Sequence, residues 1–257
     1  MGGEQQAEDY AARRTSFGST AWEYDAVRPE WPDETVSWML GAPAPGTALT
    51  VVDLGCGTGK GSRVLARLGH EVDAVDPSDG MLEALEAARA TLPATTAARL
   101  RSHRGGAEAI PLPDGTAGAV TVFQAWHWFD AEVAVLECAR VLRPGGWLSM
   151  AWHHREDRSS WGAELSAIVR HAENVAPREE PPGATSFDAV ETAEFGYLMR
   201  QGVDDLVRHA ATWSFVAIHP EREQMLAQVR ELGLRVAGPG GMVEIPMRTR
   251  CYRLRRR

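Results

Sequence analysis

The sequence contains few cysteines, and none of them is arranged to hold a metal ion or a disulfide framework. Three occur in 257 residues, widely separated: Cys56, Cys138 and Cys251. Because there is no CxxC pair, no HExxH motif and no cluster of cysteines with histidines, we expect neither a structural zinc site nor metal-assisted catalysis. Scattered thiols, odd in number, are typical of a protein kept in a reducing compartment, which predicts a cytoplasmic location.

Long apolar runs and an excess of positive charge are also missing. No stretch approaches the roughly 20 apolar residues that a membrane-spanning helix needs. The 27 basic residues are outnumbered by 35 acidic ones, and a formal charge of -8 disfavours binding to nucleic acid or to an anionic membrane. The basic tail from Arg248 to Arg257 is interpreted as a solvated terminal strand, with a nucleic-acid contact as the less favoured alternative. The expected partner is a small molecule, and the expected assembly is a monomer or a homodimer.

Strand-like and helix-like segments alternate along the middle of the chain. Nearly continuous apolar runs indicate buried parallel strands, and helical patterns separate most of them. Period-two alternation from Val243 to Cys251 predicts a late antiparallel strand. This order is typical of an α/β fold with a Rossmann-like doubly wound sheet, mostly parallel with an antiparallel last strand, plus a helical cap. The other predicted strands cover residues 48–54, 71–75, 99–103, 119–123 and 147–152.

The length and composition suit one domain. A chain of 257 residues with 44% hydrophobic content can bury a sizeable core without disulfides or metals. We therefore predict a single domain over 1–257. Its parts are N-terminal cap helices at 1–45, a ligand-binding core at 46–154, a cap insertion at 155–190, and C-terminal strands and helices at 191–257.

A glycine-rich segment, DLGCGTGKG at 53–61, follows the first predicted strand, where a doubly wound sheet binds its ligand. Glycines there allow the backbone to approach a ligand closely. A phosphate-binding GxxxxGK[ST] loop is disfavoured, because the glycine spacing is one residue short and Lys60 is followed by Gly61. A dinucleotide site is the nearer alternative, since Asp76 lies about 20 residues beyond Gly55, as a ribose-binding carboxylate would.

Two features separate this loop from the dinucleotide motif. Its glycines are spaced GxGxG, and Asp53 precedes them inside the strand. A carboxylate at that position suits a ligand carrying an ammonium and a sulfonium better than one carrying a pyrophosphate. An NAD-dependent oxidoreductase is therefore kept as the alternative enzyme class.

Around this loop the sequence resembles the class I S-adenosylmethionine-dependent methyltransferases, particularly the small-molecule branch that includes ubiquinone-biosynthesis and trans-aconitate methyltransferases. Any one motif is a weak signal, but five in the family's order are specific. The resemblance is firm from about Ser16 to Trp152 and weak from Arg155 until 246–252. Beyond the glycine loop, its motifs are VDAVDPSDGML at 72–82, GAEAIPLPD at 106–114, QAWHWF at 124–129 and RVLRPGGW at 140–147.

The resemblance implies that the core binds S-adenosylmethionine and releases S-adenosylhomocysteine. The loop backbone would line the methionine and the ribose. Asp53 would order the amino end, directly or through water, and Asp76 would accept hydrogen bonds from both ribose hydroxyls. The implied cofactor-binding residues are Asp53, Gly55, Cys56, Gly57, Gly59, Asp76, Pro77, Met81, Ala107, Glu108, Gln124 and Arg28.

The remaining cofactor roles are also implied by the resemblance. Pro77 and Met81 would enclose the adenine, and Ala107, through its backbone, with the Glu108 side chain would address its amino edge. Gln124, at the end of the fourth predicted strand, would face the methionine part and the sulfonium.

Three of these assignments have an ordinary structural alternative. Asp76 could instead cap the helix that follows it. Met81 could be core packing. Arg28, assigned to the cofactor carboxylate, could equally be a solvated arginine on a surface helix.

The acceptor side of the site is expected to be aromatic. Tyr24 and His127 are the candidates for contact with the reacting atoms. His127 could act as a base or as a donor that orients the acceptor, or it could merely shape the pocket. The expected substrate-pocket residues, for which packing is the general alternative, are Trp31, Trp126, Trp128 and His153.

The implied reaction is direct in-line transfer of a methyl group to a small organic molecule. Besides the oxidoreductase, a domain that binds S-adenosylmethionine without catalysis is the second alternative, since it would carry the same glycine loop.

Overall fold

A seven-stranded sheet organises the residues that the computed structural model describes, which are 27–156, 160–169 and 185–257. The strands are β1 (Thr50–Leu54), β2 (Glu71–Asp76), β3 (Leu100–Arg104), β4 (Ala117–Phe123), β5 (Leu142–Arg155), β6 (Glu191–Gly202) and β7 (Met242–Arg255). Their order across the sheet is β3-β2-β1-β4-β5-β7-β6. The helices are α1 (Asp33–Met39), α2 (Lys60–Arg67), α3 (Asp79–Arg89), α4 (Ala94–Ala97), α5 (Ala131–Val141), α6 (Ser160–Ile168), α7 (Val203–Ala211), α8 (Ser214–Ala217) and α9 (Arg222–Val236).

Strand direction confirms the predicted sheet. β1 pairs in parallel with β2 and β4, β2 with β3, and β4 with β5. β7 runs antiparallel to β5, because the Gly145 N–H donates to the Arg256 carbonyl and the Arg256 N–H donates to the Gly146 carbonyl, each at 2.8 Å. The carboxyl ends of β1, β2 and β4 therefore meet at one edge, where such sheets bind ligands.

Alternating side chains of β1 enter different apolar clusters. Val51 packs with residues of α1 and α2, whereas Val52 and Leu54 pack with residues of β4 and α5. Because helices and connecting segments cover the central strands, the middle of the sheet is buried on both faces. This burial explains why the sequence pattern there is a continuous apolar run.

The residues that the structure describes divide into two compact units, for which the ranges below give the limits. One consists of 30–153, 177–195 and 249–257, and it carries the glycine loop. The other consists of 1–29, 154–176 and 196–248, and it has its own apolar core with contributions from α6, α7 and α9. The single domain and its four parts stay a prediction.

The arginines of the C-terminal strand form ion pairs with acidic residues. Arg250 pairs with Glu194 at 3.0 Å and Arg253 with Glu191 at 2.6 Å. Because the partner numbers fall along β6 as they rise along β7, the two strands run antiparallel. Arg257 pairs with Asp188 at 3.1 Å. Much of the basic tail is thus neutralised within the protein, as expected for a terminal strand.

Across the described ranges, no helix combines the length and apolar character needed to cross a bilayer. The same ranges contain no group of three or more histidine, cysteine or carboxylate side chains placed to bind a metal ion.

Candidate active site

The loop between β1 and α2 has a backbone that favours glycine. Gly55, Gly57 and Gly59 have φ angles of 67°, 54° and 80°. A residue with a Cβ atom is strained in this left-handed region. Gly59 is also the residue that precedes the first turn of α2. The spacing of these glycines is therefore dictated by the turn from the strand into the helix.

The space around the three glycines differs. A Cβ atom on Gly55 would lie 2.7 Å from the Cβ of Ala125, and one on Gly59 would lie 2.8 Å from Cγ of Leu85. On Gly57 its nearest neighbour would be the Met81 sulfur at 4.0 Å. Gly55 and Gly59 are thus required by packing, whereas the backbone at Gly57 borders open space that can receive a ligand.

Asp76 ends β2 beside this open space. One carboxylate oxygen accepts the Gly57 N–H at 2.9 Å, and the other accepts the Ser78 N–H at 2.9 Å. Ser78, rather than Asp76, caps α3, since its hydroxyl accepts from the Met81 N–H at 3.4 Å. Asp76 therefore joins the glycine loop to the start of α3.

Asp53 lies fully buried beneath the loop. Its carboxylate accepts a hydrogen bond from the Ser62 hydroxyl at 2.5 Å, and the Thr121 hydroxyl lies 3.5 Å away. Burial away from water raises the pKa of Asp53 to about 7. The structure thus links Asp53 to α2 and β4, and any effect on a ligand would pass through these neighbours.

Three other predicted cofactor residues lie in the loop or follow β2. Met81 is buried at the start of α3, and Pro77 is exposed between β2 and that helix. The Cys56 thiol is buried, and desolvation raises its pKa well above the ordinary range, which keeps it protonated. The Cys56 thiol is therefore not an activated nucleophile, and the predicted contact of its backbone with the cofactor stays a prediction.

The connection between β3 and β4, residues 105–116, carries Ala107 and Glu108. Ala107 is buried in the apolar cluster beneath it. The exposed Glu108 side chain accepts the Asp130 N–H at 2.9 Å, which directs it to the start of α5. In this structure the Glu108 side chain serves a helix terminus, although its predicted partner was the adenine.

Gln124 follows β4 with a φ of 54°, in a region that residues other than glycine rarely adopt. Its N–H donates to the Ala151 carbonyl at 2.9 Å, which fixes this conformation. Strained residues of this kind cluster at ligand sites. The position agrees with the predicted role of Gln124 at the carboxyl end of β4.

Arg28 belongs to the other compact unit. Its guanidinium donates to the Thr212 hydroxyl and to the Thr212 carbonyl, both at 3.1 Å. The structure therefore gives Arg28 a protein partner at the end of α7. Tyr24 lies outside the described residues.

Trp31 and His153 form a packed aromatic group. Their rings stack with centroids 3.7 Å apart, and Trp31 also contacts Phe123 at 4.7 Å. The His153 ring nitrogen Nδ1 lies 3.1 Å from the Thr249 hydroxyl. Trp31 is buried in the apolar cluster with α1 and α2, so its observed contacts are those of a packing residue.

The QAWHWF segment forms a short 3₁₀ turn after β4. Trp126 is buried in the core, while Trp128 packs against its margin. His127 Nδ1 accepts a hydrogen bond from the Trp152 indole N–H at 3.5 Å. Because indole can only donate, this long contact favours the tautomer of a neutral imidazole that carries its proton on Nε2.

The structure brings together the predicted residues of the glycine loop, Asp76 and Met81.

Several residues that contact this site were not predicted from the sequence. Ser62 and Thr121 hold Asp53, but no local pattern pairs them with it. Phe129 packs behind Gly55 and is part of a motif that had been noticed, so its aromatic character was an available signal.

The order and direction of the strands, with the glycine turn after β1, define a Rossmann-like protein. A family described as a methyltransferase domain matches residues 52–150. With the relatives described next, this establishes that the chain belongs to the class I methyltransferases.

Relatives that match over most of their length are named as methyltransferases or methyltransferase-like proteins. An uncharacterized methyltransferase of Mycobacterium tuberculosis is 41% identical over 221 residues, covering 84% of this chain and 85% of the relative. A methyltransferase-like protein of Schizosaccharomyces pombe is 30% identical over 217 residues, covering 81% of each. A structure named as a type II methyltransferase, from Anaeromyxobacter dehalogenans, has a TM-score of 0.62 at 25% identity and covers 89% of this chain and 97% of its own.

Proposed function

We propose that this protein transfers the methyl group of S-adenosylmethionine to a small organic acceptor in the cytoplasm, as a monomer or homodimer. The observation that carries the proposal is the open space beside Gly57, bordered by the Asp76 carboxylate and the Met81 sulfur. A nucleoside needs such a surface: backbone for close approach, a carboxylate for hydroxyl groups and an apolar side chain against the base.

The residues present fit this cofactor. A carboxylate offers about four acceptor sites, so the amide contacts of Asp76 are compatible with accepting two ribose hydroxyls. Met81 and Pro77 would contact the adenine, and the backbone of Gly55, Cys56 and Gly57 would line the ribose and methionine.

When bound, S-adenosylmethionine supplies a methyl group already made electrophilic by its sulfonium. The protein then has to hold the acceptor about 3 to 3.5 Å from that carbon, in line with the sulfur, and exclude water. The strained turn at Gln124 and the aromatic 126–128 segment lie at the strand end where such positioning is needed.

For His127, the Trp152 contact favours the orienting role over the base. A ring whose Nδ1 accepts and whose Nε2 carries the proton can donate a hydrogen bond to an acceptor oxygen. Removal of a proton would require that contact to break. We therefore propose that His127 orients the acceptor.

Substitution of His127 separates the two roles. If it orients through a hydrogen bond, His127→Asn retains most activity, whereas His127→Ala loses about tenfold or more in kcat/KM. If His127 is a base, both variants lose about 10²-fold or more in kcat, and the wild-type rate rises with pH through one ionisation.

Titration calorimetry with S-adenosylhomocysteine and, separately, NADH tests the cofactor assignment. We expect S-adenosylhomocysteine to bind the wild type and Asp76→Ala to weaken it by about 2 to 4 kcal/mol, from the loss of up to two charge-assisted hydrogen bonds. Circular dichroism of the variant checks its fold. Preferential binding of NADH would instead favour the oxidoreductase alternative.

A further inference from the structure

Arg140 of α5 is bonded to the 105–116 connection through several groups. Its guanidinium donates to the carbonyls of Ile110 and Leu112, at 2.8 and 2.9 Å, and to the Asp114 carboxylate at 2.7 Å. Two of these acceptors are main-chain atoms, so Arg140 fixes the path of the backbone as well as a side chain.

Glu137, one turn earlier on α5, completes the contact. It accepts from two Arg140 nitrogens, at 2.7 and 2.8 Å, and from the Ile110 N–H at 2.9 Å. Arg140 lowers the pKa of Glu137, which keeps the carboxylate charged over the neutral range. The pair therefore binds both the donor and the acceptor of the Ile110 peptide backbone.

At its other end, α5 is joined to the same connection by Glu108. This side chain accepts the Asp130 N–H at 2.9 Å, and Asp130 is the residue that caps α5. The connection has only an isolated bridge between Gly106 and Ala109 as regular structure. Its shape therefore depends on contacts at both ends of α5.

We propose that Arg140 and Glu137 are positioning residues that hold the 105–116 connection so that its backbone at Ala107 recognises the adenine edge of the cofactor. This inference rests on the proposed function, since it concerns the adenine of S-adenosylmethionine. It assigns adenine selectivity to a helix pair that lies outside the glycine loop.

The chemistry explains why an arginine and a glutamate are used. An arginine fork can reach several acceptors in one plane, whereas lysine is a point charge with three rotating donors. Arg140 is about one-third exposed, so its charge alone adds little to stability, and the value of the pair lies in its geometry.

The test uses two ligands that differ only at the base edge: S-adenosylhomocysteine and its hypoxanthine analogue, in which an oxo acceptor replaces the 6-amino donor. Calorimetry gives the affinity ratio for the wild type, Arg140→Lys and Arg140→Met. Arg143→Met is the matched control, because it removes the same charge from the neighbouring exposed arginine. Asp114→Asn is a milder variant that alters one exposed contact only.

We expect the wild type and Arg143→Met to prefer the adenine ligand by about tenfold or more, the effect of one well-placed hydrogen bond. In Arg140→Met and Arg140→Lys the preference should fall towards unity, and Asp114→Asn should lie between. In turnover assays the KM for the cofactor should rise while kcat changes little, a split that simple unfolding of a fraction of the protein would not produce.

The outcomes separate the two proposals. Absence of S-adenosylhomocysteine binding by the wild type contradicts the proposed function itself. Binding by the wild type, with an unchanged base preference in folded Arg140→Lys and Asp114→Asn, overturns the positioning role alone. If Arg140→Met fails to fold, these two milder variants still decide the question.

Discussion

At the scale of single residues, glycines of one loop are required for different physical reasons. Gly55 and Gly59 face side chains that leave no room for a Cβ atom, whereas Gly57 faces open space. The sequence pattern GxGxG marks all three alike, because spacing carries no information about what each residue faces. The structure makes the distinction testable.

Alanine at Gly57 should mainly lower the affinity for the cofactor, whereas alanine at Gly59 should mainly lower the stability of the fold. Gly57→Ala adds backbone strain of about 1 to 2 kcal/mol and puts a methyl group into the ligand space, so cofactor affinity should fall about tenfold or more. Gly59→Ala adds similar strain and an overlap with Leu85, which should lower stability by about 2 to 4 kcal/mol. Urea unfolding and calorimetry measure the two quantities. Equal affinity losses without a stability difference would contradict this division.

The buried carboxyl of Asp53 should make stability depend on pH. Its pKa is raised to about 7 in the folded protein, so the folded state holds a proton that the unfolded state has already released above about pH 4. The free energy of unfolding should therefore fall as pH rises from about 4 to 7, and then level off.

Asp53→Asn tests this dependence, since an amide stays neutral and can still bond with the hydroxyls of Ser62 and Thr121. At pH 8 the variant should be more stable than the wild type by a few kcal/mol, with little difference near pH 4. Urea unfolding at a series of pH values measures this. Parallel pH curves for the two proteins would show that Asp53 does not titrate in this range.

At the scale of elements, the sequence pattern identified strands that are buried on both faces and a strand whose side chains alternate between a buried and an exposed face. β1 and β4 are buried on both faces and appear as nearly continuous apolar runs, and β7 shows clean alternation. Strands were predicted within 191–257, but no bounds were given for β6, an edge strand with charged residues such as Glu191, Glu194 and Arg200 exposed along it. Charge on an edge strand limits unwanted pairing. The alternation of Ala193, Phe195, Tyr197 and Met199 with more exposed residues was nevertheless an available signal for this strand.

Substitutions at Arg28 and Thr212 test whether Arg28 anchors its own segment to the end of α7 or binds the cofactor. We expect Arg28→Met and Thr212→Val each to lower stability by about 1 kcal/mol. The first removes both hydrogen bonds to Thr212, and the second removes the hydroxyl that accepts from Arg28 and donates to the His209 carbonyl. Neither should change the affinity for S-adenosylhomocysteine by more than about twofold. A loss of affinity of about tenfold in Arg28→Met alone would show that Arg28 binds the cofactor carboxylate.

Arg253 of β7 contacts one aromatic ring of α1 and one of β5. Its guanidinium carbon lies 4.1 Å from the Trp38 ring centroid and 4.5 Å from that of Trp147. It also donates to the Trp38 carbonyl at 2.7 Å. Since a planar guanidinium stacks and an ammonium does not, Arg253→Lys should cost about 1 to 2 kcal/mol in unfolding free energy.

Arg257→Lys is the control for this prediction. Its ion pair with Asp188 is more than half exposed on both sides, so the change should stay within about 0.5 kcal/mol. Urea denaturation measures both variants. Equal effects would mean that stacking between Trp38 and Trp147 contributes nothing beyond charge.

At the scale of the whole molecule, the fold class and the position of the glycine loop could be predicted, because both follow from local order along the chain. The partners of the site residues could not. Asp53 bonds with Thr121 and Glu108 with Asp130, and such pairs are set by which strands and helices become neighbours. The two compact units were also hidden, since each draws on separate stretches of sequence.

We infer that this methyltransferase transfers a methyl group from S-adenosylmethionine to a small molecule. Mass spectrometry of a small-molecule extract, incubated with the protein and cofactor bearing a trideuterated methyl group, tests it most directly. We expect at least one small compound to gain a trideuteromethyl group with the wild type and not with Asp76→Ala. Label found only in protein or nucleic acid, with every small compound unlabelled, would contradict it.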